Sequence, residues 1–268
     1  MSPDLSEEKD ENRVYYNLTI TFAVGAVSGI LLHKFWIRHG RRIRNGDHVT
    51  GDMLEKKRWI KGRVTSVGDG DGFRLYHTPL LRIGAVPKAK KDLKDQTIRI
   101  RIAGADAPEG AYFGRPAQPF AVESHDWLKN KILDQKVYCE LLQRDQYSRI
   151  VANVDVPRFS LAGLFRGRFS ENLALEMLKA GHATTYEQAS AVYGNEGKDA
   201  YLNAEKEARA KRRGMWKNGT KIELPAEYKR KYSRASPLAE KEGPQRTVIR
   251  RQPSKSVPVR FLRRLLKK

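Results

Sequence analysis

The sequence predicts an α+β protein: a five-stranded OB-like β-barrel with three helices, preceded by one transmembrane helix. Five segments between residues 60 and 155 alternate apolar and polar side chains at period two, as strands do. Three more segments, 117–133, 170–180 and 198–213, carry helix start and stop signals. Residues 14–33 form a run without Asp, Glu, Lys or Arg.

Taken in order, residues 1–13 are acidic, with net charge −3. The uncharged run that follows, VYYNLTITFAVGAVSGILLH, has about 20 residues; at ~1.5 Å rise each it spans a ~30 Å hydrocarbon layer. Tyr15, Tyr16 and Trp36 sit where interfacial aromatics belong, while Asn17, Thr19, Thr21 and Ser28 keep the run only moderately apolar. A buried core helix or a cleaved signal peptide has a similar length, but a signal peptide starts basic and this chain starts acidic. Lys34, Arg38, Arg41, Arg42 and Arg44 follow with no acid among them. Residues from Lys34 onward are therefore expected on the cytosolic or equivalent negative side. Gly25 and Gly29 match a small-xxx-small spacing, a weak pointer to dimerisation.

Strands are expected over 60–67 and 72–76, joined by Gly68-Asp69-Gly70-Asp71, then over 97–103, 136–142 and 149–155. In the third, Ile98, Ile100 and Ile102 face one way and Arg99 and Arg101 the other. Cys139 shares a face with Val137 and Leu141 and reads as a small core residue. The first helix follows Pro116, the second ends at Gly181 as a C-cap, and the third stops at Gly214. Segments 77–96 and 156–169 are long for connections and read as insertions. The expected organisation is an acidic segment (1–13), the transmembrane helix (14–33), a basic linker (34–59), the barrel domain (60–217) and a basic tail (218–268).

Composition narrows the function classes. A hydrophobic content of 40% excludes a fully disordered polycation, and a lone cysteine excludes an intrachain disulfide framework. Six histidines without HxH or HExxH spacing make a zinc enzyme a poor fit. The net charge of +21 calls for a polyanionic partner, nucleic acid or an anionic membrane face. Residues 45–227 carry only +7 of it, and residues 228–268 carry +12. That tail fits a disordered solvated segment, a sequence-independent grip on nucleic acid, or a membrane-surface contact through Phe261, Leu262, Leu265 and Leu266.

Four short motifs carry the chemistry: Asp69-Gly70-Asp71-Gly72, Arg101 through Asp106-Ala107-Pro108-Glu109, Gly114-Arg-Pro-Ala-Gln118, and Arg144-Asp145-Gln-Tyr147-Ser-Arg149. Alone, each has a plain reading. Asp-Gly and Asp-Pro steps are ordinary turn chemistry, Arg101 could face solvent, and Glu109 could be a loop acid.

In this order and spacing, the motifs over about residues 60–216, closing on Arg213-Gly-Met-Trp216, resemble the staphylococcal nuclease-like (thermonuclease) family. With the leading anchor, the chain resembles that family's fungal membrane-anchored probable endonucleases, assigned to mitochondria. The resemblance implies a Ca2+-dependent endonuclease acting on DNA or RNA. Asp71 and Asp106 would be the metal carboxylates, with Ala107 serving through its carbonyl and Asp69 orienting water nearby. Glu109 would activate water, Arg101 and Arg149 would clamp the phosphate, and Tyr147 would contact a nucleotide. Gly72 stands where the family pattern has Thr, which leaves that edge of the metal site less defined. The rival expectation is a catalytically weak or inactive OB-like binding module tethered to a membrane.

Overall fold

The computed structural model describes residues 5–81, 85–112, 115–157, 170–219 and 222–234. Gly114, most of the 156–169 insertion and the tail beyond 234 lie outside them. Met1–Lys229 forms one compact unit and Arg230–Lys268 a second, of which residues 230–234 are described.

Helix α1 spans Leu5–His39, and within it Tyr15–Ile37 is long and apolar enough to cross a membrane by length and composition. None of that stretch is buried by the rest of the chain. Two of its polar side chains are satisfied locally: the Thr19 and Thr21 hydroxyls donate to the carbonyls of Tyr15 and Asn17, each at 2.8 Å. That local bonding lowers the cost of placing hydroxyls in hydrocarbon. A short helix α2 (Gly51–Glu55) precedes the barrel.

The barrel strands are β1 (Trp59–Asp69), β2 (Gly72–His77), β3 (Ile98–Ile102), β5 (Lys136–Arg144) and β6 (Ile150–Pro157). Their hydrogen-bonded order is β3-β2-β1-β5-β6, and a parallel β3–β6 pairing closes the ring at Ile100↔Ile150, Arg101↔Val151 and Ile102↔Ala152. Bulges in β1 after Val64 and Val67 supply the bend that lets one long strand pair with both β2 and β5. Inward side chains fill the ring: Val64, Leu75, Ile98, Ile100, Ile102, Val137, Cys139, Leu141, Ile150 and Val154 are all buried. Cys139 is thus a core residue, and burial pushes its thiol pKa up.

The three expected helices are α3 (Ala121–Ile132), α4 (Leu173–Ala180) and α5 (Gly197–Ala210). α3 starts later than Pro116 suggests, because Phe120 at its N-cap is left-handed, with φ 68°. α4 also starts late. Ser170–Asn172 instead forms β7, paired with the end of β6, and the Asn172 side chain caps the helix by accepting from the Leu175 N–H. A two-residue pairing of β4 (Ala105–Asp106) with β8 (Thr184–Thr185), and helix α6 (Pro225–Arg234), add to these elements. The α4 end is locked to Arg213-Gly-Met-Trp216 by two glycines, and the Met215 N–H donates to the Gly181 carbonyl at 2.9 Å. Gly181 is left-handed, with φ 74°. Behind this joint, Trp216 is fully buried under the Arg209 guanidinium.

Candidate active site

Two hairpin turns, the end of β3, and β4 with the loop after it build the site. Asp69–Gly72 is the tight turn between β1 and β2, and the Ile102 N–H donates to the Asp71 carbonyl at 2.9 Å, tying that turn to the end of β3. The approach is close: a Cβ on Gly70 would lie 2.7 Å from the Ala107 Cβ, so only glycine fits there. Asp106 sits on β4, whose pairing with β8 holds its backbone, and the Thr184 hydroxyl donates to its carbonyl at 3.2 Å. β8 is fixed in turn by α5, where the buried Glu205 carboxylate accepts from the Thr185 N–H at 2.7 Å.

Arg101 bridges the two aspartates. Its guanidinium lies 2.9 Å from Asp106 Oδ1 and 3.3 Å from Asp71 Oδ2, with the Tyr186 ring 4.8 Å from its centre. Arg99, on the same face of β3, stays exposed, so the alternation alone does not separate the two arginines. Burial acts to lower the Arg101 pKa, but the charges of Asp71 and Asp106 outweigh it and hold the group protonated. Burial pushes the Asp106 carboxyl above the ordinary range. Lys229 pulls against this, Asp71 adds to it, and Arg101 pulls the same way as Lys229. Asp69 is also raised, by burial first and then by the charges of Asp71 and Glu109.

Glu109 is positioned through its backbone. Its N–H donates to Gln118 Oε1 at 2.8 Å, and the Gln118 N–H returns a bond to its carbonyl at 2.9 Å. Gln118, from the third motif, is thus a buried support that sequence reasoning placed in a motif without giving it a role.

Arg149 lies on the β5–β6 hairpin, held by Asp145: Nε to Oδ2 is 2.7 Å, and the Arg149 and Tyr147 N–H groups both donate to Oδ1 at 2.9 Å. Burial works to raise the Asp145 pKa, yet these bonds, led by the Arg149 side chain, carry it below the usual range. Arg149 also acts electrostatically on Asp69, and Asp145 on Arg101, so the hairpin and the β1–β2 turn share one field. Tyr147 is exposed, its ring 5.4 Å from the Arg149 guanidinium.

One participant escaped sequence reading. Lys229, from α6, places Nζ 2.5 Å from Asp106 Oδ1 and 2.8 Å from Glu109 Oε1.

Two observations bear on a metal. Asp106 Oδ2 is buried without a hydrogen-bond partner, and a second carboxylate, Asp71, lies across the same guanidinium. Paired acids whose charges oppose one another fit a hard divalent cation. Among the described residues, no group of three or more His, Cys, Asp or Glu side chains gathers as a ligand set. The fit therefore rests on two carboxylates, with room for carbonyl or water oxygens. His182 stacks on Trp127 at 5.4 Å, and His125 pairs with Asp126, which gives both structural surroundings.

Comparison with known proteins points the same way. Residues 99–218 match the family model "Staphylococcal nuclease homologue". A Schizophyllum commune protein described as "Probable endonuclease LCL3" is 51% identical over 231 residues, covering 82% of this chain and 77% of its own. Proteins of the same description from Colletotrichum graminicola and Penicillium rubens are 43% and 42% identical, covering 76% and 84% of this chain and 74% and 81% of their own. The Asp69–Asp71 turn and Lys229 both fall outside the residues matched by the family model.

Proposed function

The chain belongs to the staphylococcal nuclease homologue family, a family of phosphodiester hydrolases, and on that premise we propose that it is a membrane-anchored, Ca2+-dependent endonuclease. The observation that carries this reading is the convergence of Arg101, Asp71 and Asp106 at the ends of β3, β4 and the β1–β2 turn. The tethered, inactive binding module is the rival, and it gives no reason for two acids to be set against one arginine in this way.

Asp71 and Asp106 would hold the divalent cation, whose charge there supplies Lewis-acid stabilisation and makes nearby water more acidic. Hard oxygen donors suit Ca2+, Mg2+ and Mn2+ alike, and the choice of Ca2+ among them comes from the family resemblance. Glu109 accepts the proton of the water that attacks phosphorus. Its side chain is partly exposed and so reaches solvent water, while Gln118 fixes its backbone. Arg101 neutralises one edge of the phosphoryl group. Asp145 occupies the Nε edge of Arg149, which leaves that residue's Nη groups for the phosphate oxygens. Both arginines bind most strongly when the phosphorus carries an extra oxygen, and that difference speeds the reaction. The substrate is DNA or RNA, whose exposed bases Tyr147 can stack.

Helix α1 supplies the anchor through residues 14–33, which overlap the stretch Tyr15–Ile37 that is long and apolar enough to cross a membrane. Placement in mitochondria is carried by the resemblance, and the domain limits 34–59, 60–217 and 218–268 are proposed alongside it.

The test uses the full chain in detergent and follows release of acid-soluble nucleotide. Release should require Ca2+ and fall by roughly 10²-fold or more in Glu109→Gln. Saturating Ca2+ should also raise the melting temperature by several degrees, since about 2.7 kcal/mol is gained at 100 times Kd. Equal release by wild type and variant, with no thermal response, would leave the binding module as the better reading.

A further inference from the structure

The basic residues after helix α1 are folded onto the barrel. Ile43 and Val49 are buried, the Ile43 N–H donates to His77 Nδ1 at 2.9 Å, and Arg144 donates to the Gly46 and Val49 carbonyls at 2.8 and 3.0 Å. Arg42 donates to Gln96 Oε1 at 2.7 Å and lies 3.7 Å over the Tyr76 ring. These anchors shape a cavity of about 650 Å³ lined by Arg41, Arg42, Arg44, His48 and Gln96. No carboxylate lines it, so its field is positive.

The barrel strands separate this cavity from the carboxylate end of the nuclease site, while the Arg149 hairpin adjoins the linker through Arg144 and Ser148 beside Gly46. β2 runs from Gly72 beside the carboxylates to Tyr76 and His77 beside the cavity, and β3 covers the same distance in reverse. Five residues at ~3.3 Å set the two sites on the order of 15 Å apart. We infer that the cavity binds the phosphate headgroup of an anionic lipid, an inference that rests on reading α1 as a membrane anchor. Location selects this ligand: Arg41 lies two residues beyond His39, the end of α1, whereas the Asp71–Asp106 pair lies at the other end of β2 and β3. Arginine forks suit phosphate oxygens, and basic residues beside a membrane span meet headgroups directly.

The test follows amide exchange of residues 40–50 in the full chain, reconstituted in phosphatidylcholine vesicles with or without phosphatidylserine. Exchange should slow several-fold only in the anionic vesicles, and the double variant Arg41→Gln/Arg44→Gln should lose the difference. Equal exchange in both vesicles would overturn the inference. So would protection by inorganic phosphate, or by single-stranded DNA, in phosphatidylcholine alone. Loss of the chain on carbonate extraction would instead refute the anchor.

A second inference is carried by a different observation and rests on the metal reading of Asp71 and Asp106. Residues 222–229 are docked on the barrel unit: Ile222 and Leu224 pack by Trp216, Tyr228 is buried with its hydroxyl donating to the Pro116 carbonyl, and Gln118 Nε2 donates to the Glu223 carbonyl at 3.2 Å. The same Gln118 supports Glu109, so one side chain ties the catalytic loop to this segment. Lys229 is thereby held with its ammonium on Asp106 and Glu109. An ammonium and a divalent cation on the same carboxylates repel, so each weakens binding of the other.

We propose that Lys229 is a positioning residue that holds Asp106 and Glu109 together without metal and sets the cation affinity of the site. In the full chain, Lys229→Met should bind Ca2+ by calorimetry roughly tenfold or more tightly, the effect of removing one like charge at contact. Its melting temperature in chelator should fall, while Lys229→Arg should keep wild-type affinity. Unchanged or weaker binding in a folded Lys229→Met, or in Lys229→Gln should the first variant not fold, would overturn the proposal. Silence toward Ca2+ in wild type and variants alike would overturn the metal reading with it.

Discussion

Substituting Arg149 by alanine is expected to slow phosphodiester cleavage by roughly 10²–10³-fold, the loss typical of a donor aimed at a developing oxyanion. Stability should hardly change. Arg149 lies on a hairpin turn, and its partner Asp145 keeps two backbone N–H donors after the guanidinium is gone. The matching change at the other arginine should behave differently. Arg101 faces Asp106, a carboxylate 1% exposed, so Arg101→Ala removes a partner from a buried charge. That class of change costs about 3–5 kcal/mol when nothing else compensates; Lys229, 2.5 Å from the same Oδ1, compensates in part here, so the loss should fall below that range. The comparison is decisive when rates and melting temperatures are measured together. Arg149→Ala should lose rate at nearly constant melting temperature, and Arg101→Ala should lose both. An Arg149→Ala enzyme that cleaves at the wild-type rate would remove the phosphate clamp from the mechanism.

A second large stability loss is expected outside that clamp. At Gly181, φ is 74°, and a Cβ would sit 2.2 Å from the Arg213 carbonyl oxygen. A backbone atom cannot rotate away as a side-chain tip can. Gly181→Ala therefore combines left-handed strain of about 1–2 kcal/mol with overpacking of about 1–3 kcal/mol. Thermal unfolding should report a fall on the order of 10 °C, from ~2–4 °C per kcal/mol in a domain of this size. Activity per folded molecule should survive, because neither Gly181 nor Arg213 touches the carboxylate cluster. A melting temperature within a degree of wild type would mean that this joint is not closed as tightly as the structure shows.

Much of the barrel was legible because period-two alternation is a local property. Ile98, Ile100 and Ile102 announce an inward face, and the same rule places Val137, Cys139 and Leu141. Boundaries were less legible where side chains override pattern. Asn172 lies inside a helix-like run, yet its side chain caps the helix and its backbone pairs with Asp155. Arg99 and Arg101 are equivalent in alternation and differ only in what lies opposite them, which a strand pattern does not encode. The motif residues Asp71, Arg101, Asp106, Glu109 and Arg149 could be named because they recur in a recognisable order. Lys229 could not: it meets Asp106 across 123 positions of sequence, from a helix half of whose residues are charged. Gln118 was similarly silent, since a support for a backbone carries no chemical signature.

The ring closure has a temporal consequence. β1 pairs with β5, and β3 with β6, so no complete ring exists until the chain has been made through Pro157. Such non-local pairings make folding slow, typically milliseconds to seconds, whereas helix formation takes about a microsecond. If α1 is the anchor proposed above, it enters a bilayer while the strands that follow are still unpaired. On that reading of α1, assembly of the barrel would happen on a leash: its unfinished edges would be confined to one membrane face, where chains anchored nearby are the ones most able to mispair with them.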